Sequence, residues 1–331
     1  MPSFCRHNRL VQNCPICSRE REIEVEAAVS HSRPRAGGAR SRAGATTGAG
    51  GRQGTVRSRK LGAMSVRRLD RGTDDGYGSP LLPGLRSSVE AGRLASELSS
   101  AAGRLQALEE NPPGLYREVA DRGTDIEERT WLAFLIAFLC PLEAEEPFAA
   151  IRAARTSWAA GELPDLSELP AGPRATQDPA GRTRTLHAYR AWAARAGSQS
   201  AGFSGEPGWS PDRRFARAYE RLALPGLHRD ARFELLASLG CLGAYDLRAG
   251  SLQLGGENSV TVAAKRALGI GDPLLLERRS QELATACQIP LEALDLGFYN
   301  WEARDRATMG MGPGAEVSPE ILTRVAATLG L

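Results

Sequence analysis

The sequence predicts an all-α fold for most of its 331 residues. Apolar residues recur at helical spacing between recognisable start and stop signals, which is the first observation in favour of this class. The second is that strand-like segments are scarce: only Ser251–Leu254 and Ser259–Val262 qualify, as a small hairpin or a loop. An apolar content of 42% and a charged content of 24% are typical of globular proteins, so we expect a packed core.

Composition divides the chain into three regions. Residues 1–29 form a small module rich in cysteine and histidine. Residues 30–65 consist mainly of Gly, Ala, Arg, Ser and Thr, and we expect a disordered linker because such a segment buries little apolar surface. Residues 66–331 form the helical body.

The first helices of the body carry clear signals. A capping box, with Ser87 as N-cap and Glu90 three residues later, predicts a helix over Ser87–Glu109. The next helix, Asp125–Leu139, is apolar on nearly all faces, so we expect it at the centre of the body. Its apolar run ends at Cys140 and is too short to span a membrane, which takes about 20 residues.

Further helices follow the same logic. Gly161–Gly181 is rich in proline and turn residues and predicts a surface loop. Ser210 as N-cap and Pro211 at the first helical position start another helix. The remaining predicted helices are Phe148–Ala159, Thr185–Ala196, Asp212–Leu222, Asp230–Leu239, Thr261–Ala267, Pro273–Cys287 and Leu291–Trp301.

The charge is unevenly distributed. The stretch from His31 to Leu69 holds ten basic residues and no acidic one, whereas residues 70–331 carry 28 basic and 35 acidic side chains. We call residues 31–68 the basic arm. Its composition favours contact with DNA phosphates, which is largely independent of base sequence. The alternative is a solubilising tether.

A zinc site is expected at the start of the chain. Cys5, His7, Cys14 and Cys17 lie within thirteen residues, and the C-x2-C pair holds two thiolates against one tetrahedral ion. A site with four protein ligands is structural. A disulfide is the alternative, but the polar opening residues resemble no secretory signal, and we expect a cytoplasmic, nucleoid-associated protein. The other cysteines, Cys140, Cys241 and Cys287, are expected to be buried thiols.

The segment Leu224–His228 resembles the turn of a helix-hairpin-helix motif, whose backbone N–H groups contact a DNA phosphate. In DNA glycosylases with this motif a catalytic aspartate follows about twenty residues later, and Asp246 lies at that distance from Gly226. His228 occupies the position of the second glycine of that turn. The lysine nucleophile of the bifunctional glycosylases has no counterpart in this chain, and Asp230 stands near its position. An ordinary helix–turn–helix connection followed by a surface aspartate is the alternative.

Several segments together resemble the α-glutamyl/putrescinyl thymine pyrophosphorylases of clade three. They are Ser3–Leu10, Asn13–Ser18, Asp74–Tyr77, Glu128–Leu135, Gly208-Trp209 and Ser251–Leu254. The resemblance implies a helical relative of DNA glycosylases that acts on DNA. The implied reaction transfers an amine, from glutamate or putrescine, onto pyrophosphorylated 5-hydroxymethyluracil, with release of pyrophosphate.

This chemistry assigns roles to particular residues. We expect Asp246 to act as general base with Arg248 beside it, in a cleft between two helical halves. Arg213 and Arg214, at the start of a helix, are expected to bind phosphate or pyrophosphate, and Trp209 to contact an extruded base. A solvated charged face is the alternative for these arginines. A glycosylase for a modified pyrimidine and a non-catalytic DNA-binding protein remain the alternative functions.

Overall fold

The computed structural model describes residues 72–175, 179–303, 305–312 and 318–331, all within one structural unit. This part of the chain contains twelve α-helices, one 3₁₀ turn at Pro179–Gly181 and no strand, which confirms the all-α class. The helices are α1 Ser88–Glu110, α2 Leu115–Ala120, α3 Ile126–Leu139, α4 Ala149–Ala154, α5 Arg182–Ala196, α6 Gln199–Ser204, α7 Pro211–Arg221, α8 Arg229–Cys241, α9 Ser259–Leu268, α10 Pro273–Cys287, α11 Leu291–Glu302 and α12 Pro319–Leu329.

The start of α1 is close to the predicted position, but its capping box is wrong. The Ser87 side chain makes no capping hydrogen bond. The cap comes instead from Asp75, whose carboxylate accepts from the Ser88 amide at 2.9 Å and also from its hydroxyl. These two bonds hold the pKa of Asp75 below its usual value. Glu90 is free to pair with Arg266 of α9, so a contact between helices replaces the predicted local one.

Helix α3 forms the centre of the body, as predicted. Asp125 caps it by accepting from the amides of Glu127 and Glu128. Every residue from Arg129 to Leu139 is buried. On α3, Phe134 stacks on Tyr189 of α5 with ring centres 3.8 Å apart. Burial on all sides follows from the apolar composition, because no face of this helix is suited to water.

The helices pack as two groups. In one group α1 lies against α11 and α12, while α9 and α10 pack around α11. In the other group α3 packs against α2, α4, α6 and α8. The two groups meet where α1 contacts α8. The approach of α1 to α11 is close: a Cβ atom at Gly297 would lie 3.1 Å from the Cα of Leu98, so this position needs glycine.

A buried ionic cluster lies where the two groups meet. Arg104 of α1 contacts Glu234 of α8 with a nitrogen–oxygen distance of 2.7 Å. Asp295 of α11 pairs with Arg174 at 2.5 Å and also with Arg229 of α8. All five side chains are at most 9% exposed. Buried ion pairs therefore connect α1, α8, α11 and the loop that carries Arg174, although these elements are distant in sequence.

Of the hairpin or loop predicted at Ser251–Leu254 and Ser259–Val262, the structure has a loop at the first segment and the start of helix α9 at the second. Residues 251–254 have no strand partner among the described residues. The amides of Leu252 and Leu254 donate to the two carboxylate oxygens of Glu277 on α10, at 2.7 and 2.5 Å. Ser259 starts α9, with Asn258 as its N-cap. A side chain from another helix thus satisfies the backbone groups that a second strand would have paired.

The predicted helix Phe148–Ala159 is too long. Helix α4 ends at Ala154. Beyond it, the amides of Trp158 and Ala159 donate to the carboxylate of Glu128 on α3, at 2.9 and 3.0 Å. The chain therefore folds back onto α3 instead of continuing as a helix. Gly161–Gly181 is a loop in its described residues, apart from the short 3₁₀ turn, but it does not lie wholly on the surface as predicted, because Leu166 and Arg174 are buried.

Candidate functional site

Leu224–His228, the segment that resembles the turn of a helix-hairpin-helix motif, lies between α7 and α8. Gly226 has a φ of +76°, a conformation that favours glycine. The turn is tied to α5, because the hydroxyl of Thr185 donates to the carbonyl of Pro225 at 2.8 Å. A Cβ atom at Gly226 would lie 2.3 Å from that hydroxyl oxygen. The side of the turn where a side chain would project is therefore occupied by α5.

Helix α7 presents a row of arginines. It starts with Ser210 as N-cap and Pro211 at the first position, which confirms the predicted start. Arg213, Arg217 and Arg221 recur every four residues and therefore share one helix face, where all three are exposed. Apolar residues on the other side of α7, including Phe215, are buried. Amphipathic folding thus leaves the arginines facing solvent.

Trp209 lies against this row. The guanidinium of Arg213 is 5.0 Å from the centre of its ring, and that of Arg221 is 5.9 Å away. In the described part of the chain neither arginine pairs with a carboxylate. Gly205, at a φ of +64°, makes room for the indole, since a Cβ there would lie 2.7 Å from a ring carbon. We call Trp209, Arg213 and Arg221 the α7 ridge.

Next to the ridge, Arg214 forms an ion pair with Asp246. A second nitrogen of Arg214 donates to the carbonyl of Pro207 at 3.1 Å, which fixes the guanidinium in place. Only Oδ2 of Asp246 is used, and no described residue donates to Oδ1. The Asp246 side chain is 66% exposed. An arginine therefore reaches Asp246, but the carboxylate is more open to water than the expected cleft implies.

Arg248 does not join this pair through its side chain. Its guanidinium lies 3.9 Å from Glu109 of α1, and both side chains are more than half exposed. Its backbone amide donates to the carbonyl of Pro211 at 3.4 Å, which attaches the Asp246 segment to the start of α7. On the other side of Asp246, the hydroxyls of Tyr245 and Thr130 are 2.6 Å apart. The expected partnership of Arg248 with Asp246 is thus replaced by that of Arg214.

A cleft of about 740 Å³, which was not predicted from the sequence, lies beside α3. It is bordered by α2, by the first half of α3 and by residues 155–157, with Arg117, Arg129 and Trp131 among its lining residues. The sequence signal was weak, because Arg129 follows Glu127 and Glu128 in the first turns of α3 and reads as part of a polar helix start. Cavities of about 300–1,000 Å³ are typical of small-molecule sites.

The described cysteines behave as predicted. Cys140 and Cys287 are buried, and Cys241 is partly buried. Burial raises the pKa of Cys140 to about 12, and the pKa values of Cys241 and Cys287 to about 11. Since the thiolate is the reactive form, these thiols are unreactive near neutral pH.

The predicted zinc ligands, Cys5, His7, Cys14 and Cys17, and the basic arm lie outside the described residues. Within the described ranges, no group of three or more His, Cys, Asp and Glu side chains is placed to hold a metal ion. None of the described helices is long and apolar enough to cross a membrane.

Elemental analysis tests the zinc prediction. We expect one zinc ion per purified chain, lost when Cys14 and Cys17 are both replaced by serine, because a tetrahedral site cannot lose two thiolates and hold the ion. Cys241→Ser is the matched control and should keep the full zinc content. A wild-type content near zero would contradict the prediction.

Comparisons of the chain with protein-family models, with curated proteins and with solved structures find no match.

Proposed function

We propose that the protein binds DNA and transfers an amine onto a pyrophosphorylated 5-hydroxymethyluracil base, with release of pyrophosphate. The proposal rests on the family resemblance and on one observation, the α7 ridge with the Arg214–Asp246 pair beside it. Exposed arginines without carboxylate partners are suited to phosphate groups, and a half-buried indole offers a surface for a base.

The proposed reaction assigns a task to each group. The nitrogen of the amine attacks the methylene carbon attached to the base, and the bond from that carbon to the pyrophosphate oxygen breaks. Pyrophosphate leaves with the bonding electrons, and Arg213 and Arg214 offset its charge. The proton released by the amine passes to Oδ1 of Asp246, which has no donor among the described residues.

A non-catalytic DNA-binding role is the second candidate, and the surroundings of Asp246 favour it. A general base works best in a site that excludes water, and the Asp246 side chain is 66% exposed. The ridge by itself suffices to contact phosphates.

The deciding experiment is product analysis on DNA carrying the pyrophosphorylated base, with glutamate or putrescine as donor. We expect an amine adduct and free pyrophosphate. Asp246→Asn should keep its DNA affinity while turnover falls by roughly 10²-fold or more, because the variant preserves size and removes the base. Glu146→Gln is the control, since Glu146 is also an exposed carboxylate paired with an arginine, at 3.0 Å from Arg152.

Other outcomes select other functions. An abasic site in the product would identify a glycosylase. Intact substrate together with tight DNA binding would identify the non-catalytic role. Unchanged turnover of Asp246→Asn would remove Asp246 from the mechanism.

A further inference from the structure

The cleft beside α3 contains a buried arginine that forms no direct ion pair with a described residue. Arg129 is 6% exposed. Its Nε donates to the carbonyl of Val119 at 2.6 Å, while Nη2 has no hydrogen-bond partner in the described part of the chain. No described carboxylate forms an ion pair with it. A buried charge of this kind is costly unless something pairs with it.

Three of the four other buried arginines are handled differently, whereas Arg182, which is 3% exposed, also forms no ion pair among the described residues and donates to the carbonyls of Leu166 and Leu169 at 2.7 and 2.6 Å. Arg104, Arg174 and Arg229 all pair with carboxylates of the ionic cluster. Burial is the largest influence and would lower the pKa of Arg104, but Glu234 and Tyr116 together outweigh it and the pKa is raised. For Arg129 burial is again the largest influence, and here the pKa is lowered, because nearby Tyr245 and Asp121 compensate only in part.

The carboxylates that line the cleft already form ion pairs or hydrogen bonds with groups other than Arg129. Glu118 pairs with Arg155 at 2.5 Å. Asp121 accepts from the amide of Gly123 and the hydroxyl of Thr124, at 3.0 and 2.8 Å. Glu128 accepts from the segment 157–159. The hydrogen bonds of all three acids are thus directed at groups other than Arg129.

A second cation of the cleft is also unmatched. Arg117 is exposed and lines the same cleft, and its side chain forms no ion pair or hydrogen bond among the described residues. The cleft therefore offers two guanidinium groups that form no ion pair among the described residues, beside three acids whose hydrogen bonds go to other groups. The buried Nη2 of Arg129 is the group of the cleft that lacks an acceptor.

We propose that this cleft binds the phosphate group of a small molecule through Arg129 and Arg117. A phosphate monoester carries about −1.5 to −2 charges at pH 7, which two guanidinium groups balance, whereas a carboxylate carries one. The remaining volume and the Trp131 wall accommodate the rest of the ligand. The site shares no residue with the α7 ridge and does not depend on the proposed action on DNA.

Calorimetric titration of the full chain with inorganic phosphate tests this site, with tryptophan fluorescence as a second readout because Trp131 lines the cleft. We expect a dissociation constant of about 1 mM or tighter. Arg129→Met and Arg117→Gln should each weaken binding by roughly tenfold or more, the effect of losing a charge-assisted contact. Arg117 is exposed, so its variant gives an answer even if Arg129→Met fails to fold.

The matched control is Arg152→Gln, since Arg152 is an exposed arginine outside the cleft and should leave phosphate binding unchanged. Three outcomes would overturn the proposal: no binding of phosphate, equal binding of acetate, or binding that neither cleft variant weakens. The last result would assign phosphate to arginines elsewhere, such as those of the basic arm.

Discussion

Replacing Asp295 with leucine should lower the free energy of unfolding by about 3–5 kcal/mol, the cost of removing one partner from a buried ion pair. Asp295 is 1% exposed and pairs with both Arg174 and Arg229. Its loss leaves these two buried guanidinium groups to Asp230, which lies 3.8 and 3.1 Å from them, and to Glu234, which lies 3.6 Å from Arg174. Urea unfolding measures the effect, with the midpoint shifting while the denaturant slope is retained.

Two further variants make this result specific. Glu146→Ala breaks an exposed ion pair with Arg152 and should cost less than about 1 kcal/mol. Adding Arg174→Met to Asp295→Leu should cost much less than the sum of the single effects, because the second change removes a stranded charge. Strict additivity of the two changes would show that the pair does not act as a unit.

Deleting the basic arm should weaken DNA binding by roughly 10³-fold or more near 0.15 M salt, as expected for six or more lost phosphate contacts. The arm holds ten basic residues, whereas residues 70–331 are net acidic. The slope of log affinity against log salt should become shallower by up to about 9, at about 0.9 for each phosphate contact. Filter binding or anisotropy over a salt series measures both quantities.

The deleted chain also isolates the contribution of the α7 ridge. We expect a residual salt slope near 2, lost when Arg213 and Arg221 are both replaced by glutamine. The control removes two other exposed arginines, Arg278 and Arg279, which pair with Glu282 on α10 and should leave the slope unchanged. Equal affinity and slope for the full and deleted chains would show that the arm plays no part.

Local chemistry explains which helices are predictable. Helix α10 has the predicted bounds, and α7 starts as predicted, because a cap and a proline lie next to the helices they start. The cap of α1 was not predictable in detail, since its acceptor, Asp75, lies thirteen residues away. The short helices α2 and α6 have only six residues each, too few for a periodic pattern.

The residue types of the candidate site were predictable from the sequence, but only some of the contacts between those residues were. Trp209 and Arg213 are close in sequence, and the structure brings them together. Arg214 and Asp246 are 32 residues apart, so only the packing of the loop after α8 onto α7 joins them. Arg129 has no ion pair because Glu118, Asp121 and Glu128 form their hydrogen bonds with other groups. No sequence pattern predicts that choice of partners.

The central position of α3 has a consequence for synthesis on the ribosome. Its apolar surface is covered largely by α8, which begins about 90 residues after α3 ends. At translation rates of about 5–20 residues per second, α3 leaves the exit tunnel roughly 5–20 s before that partner. During this interval the nascent chain already contains Tyr189, the ring partner of Trp131 and Phe134, but lacks the contacts of α3 with α8. We therefore expect the nascent chain to need chaperone binding most at this stage of translation.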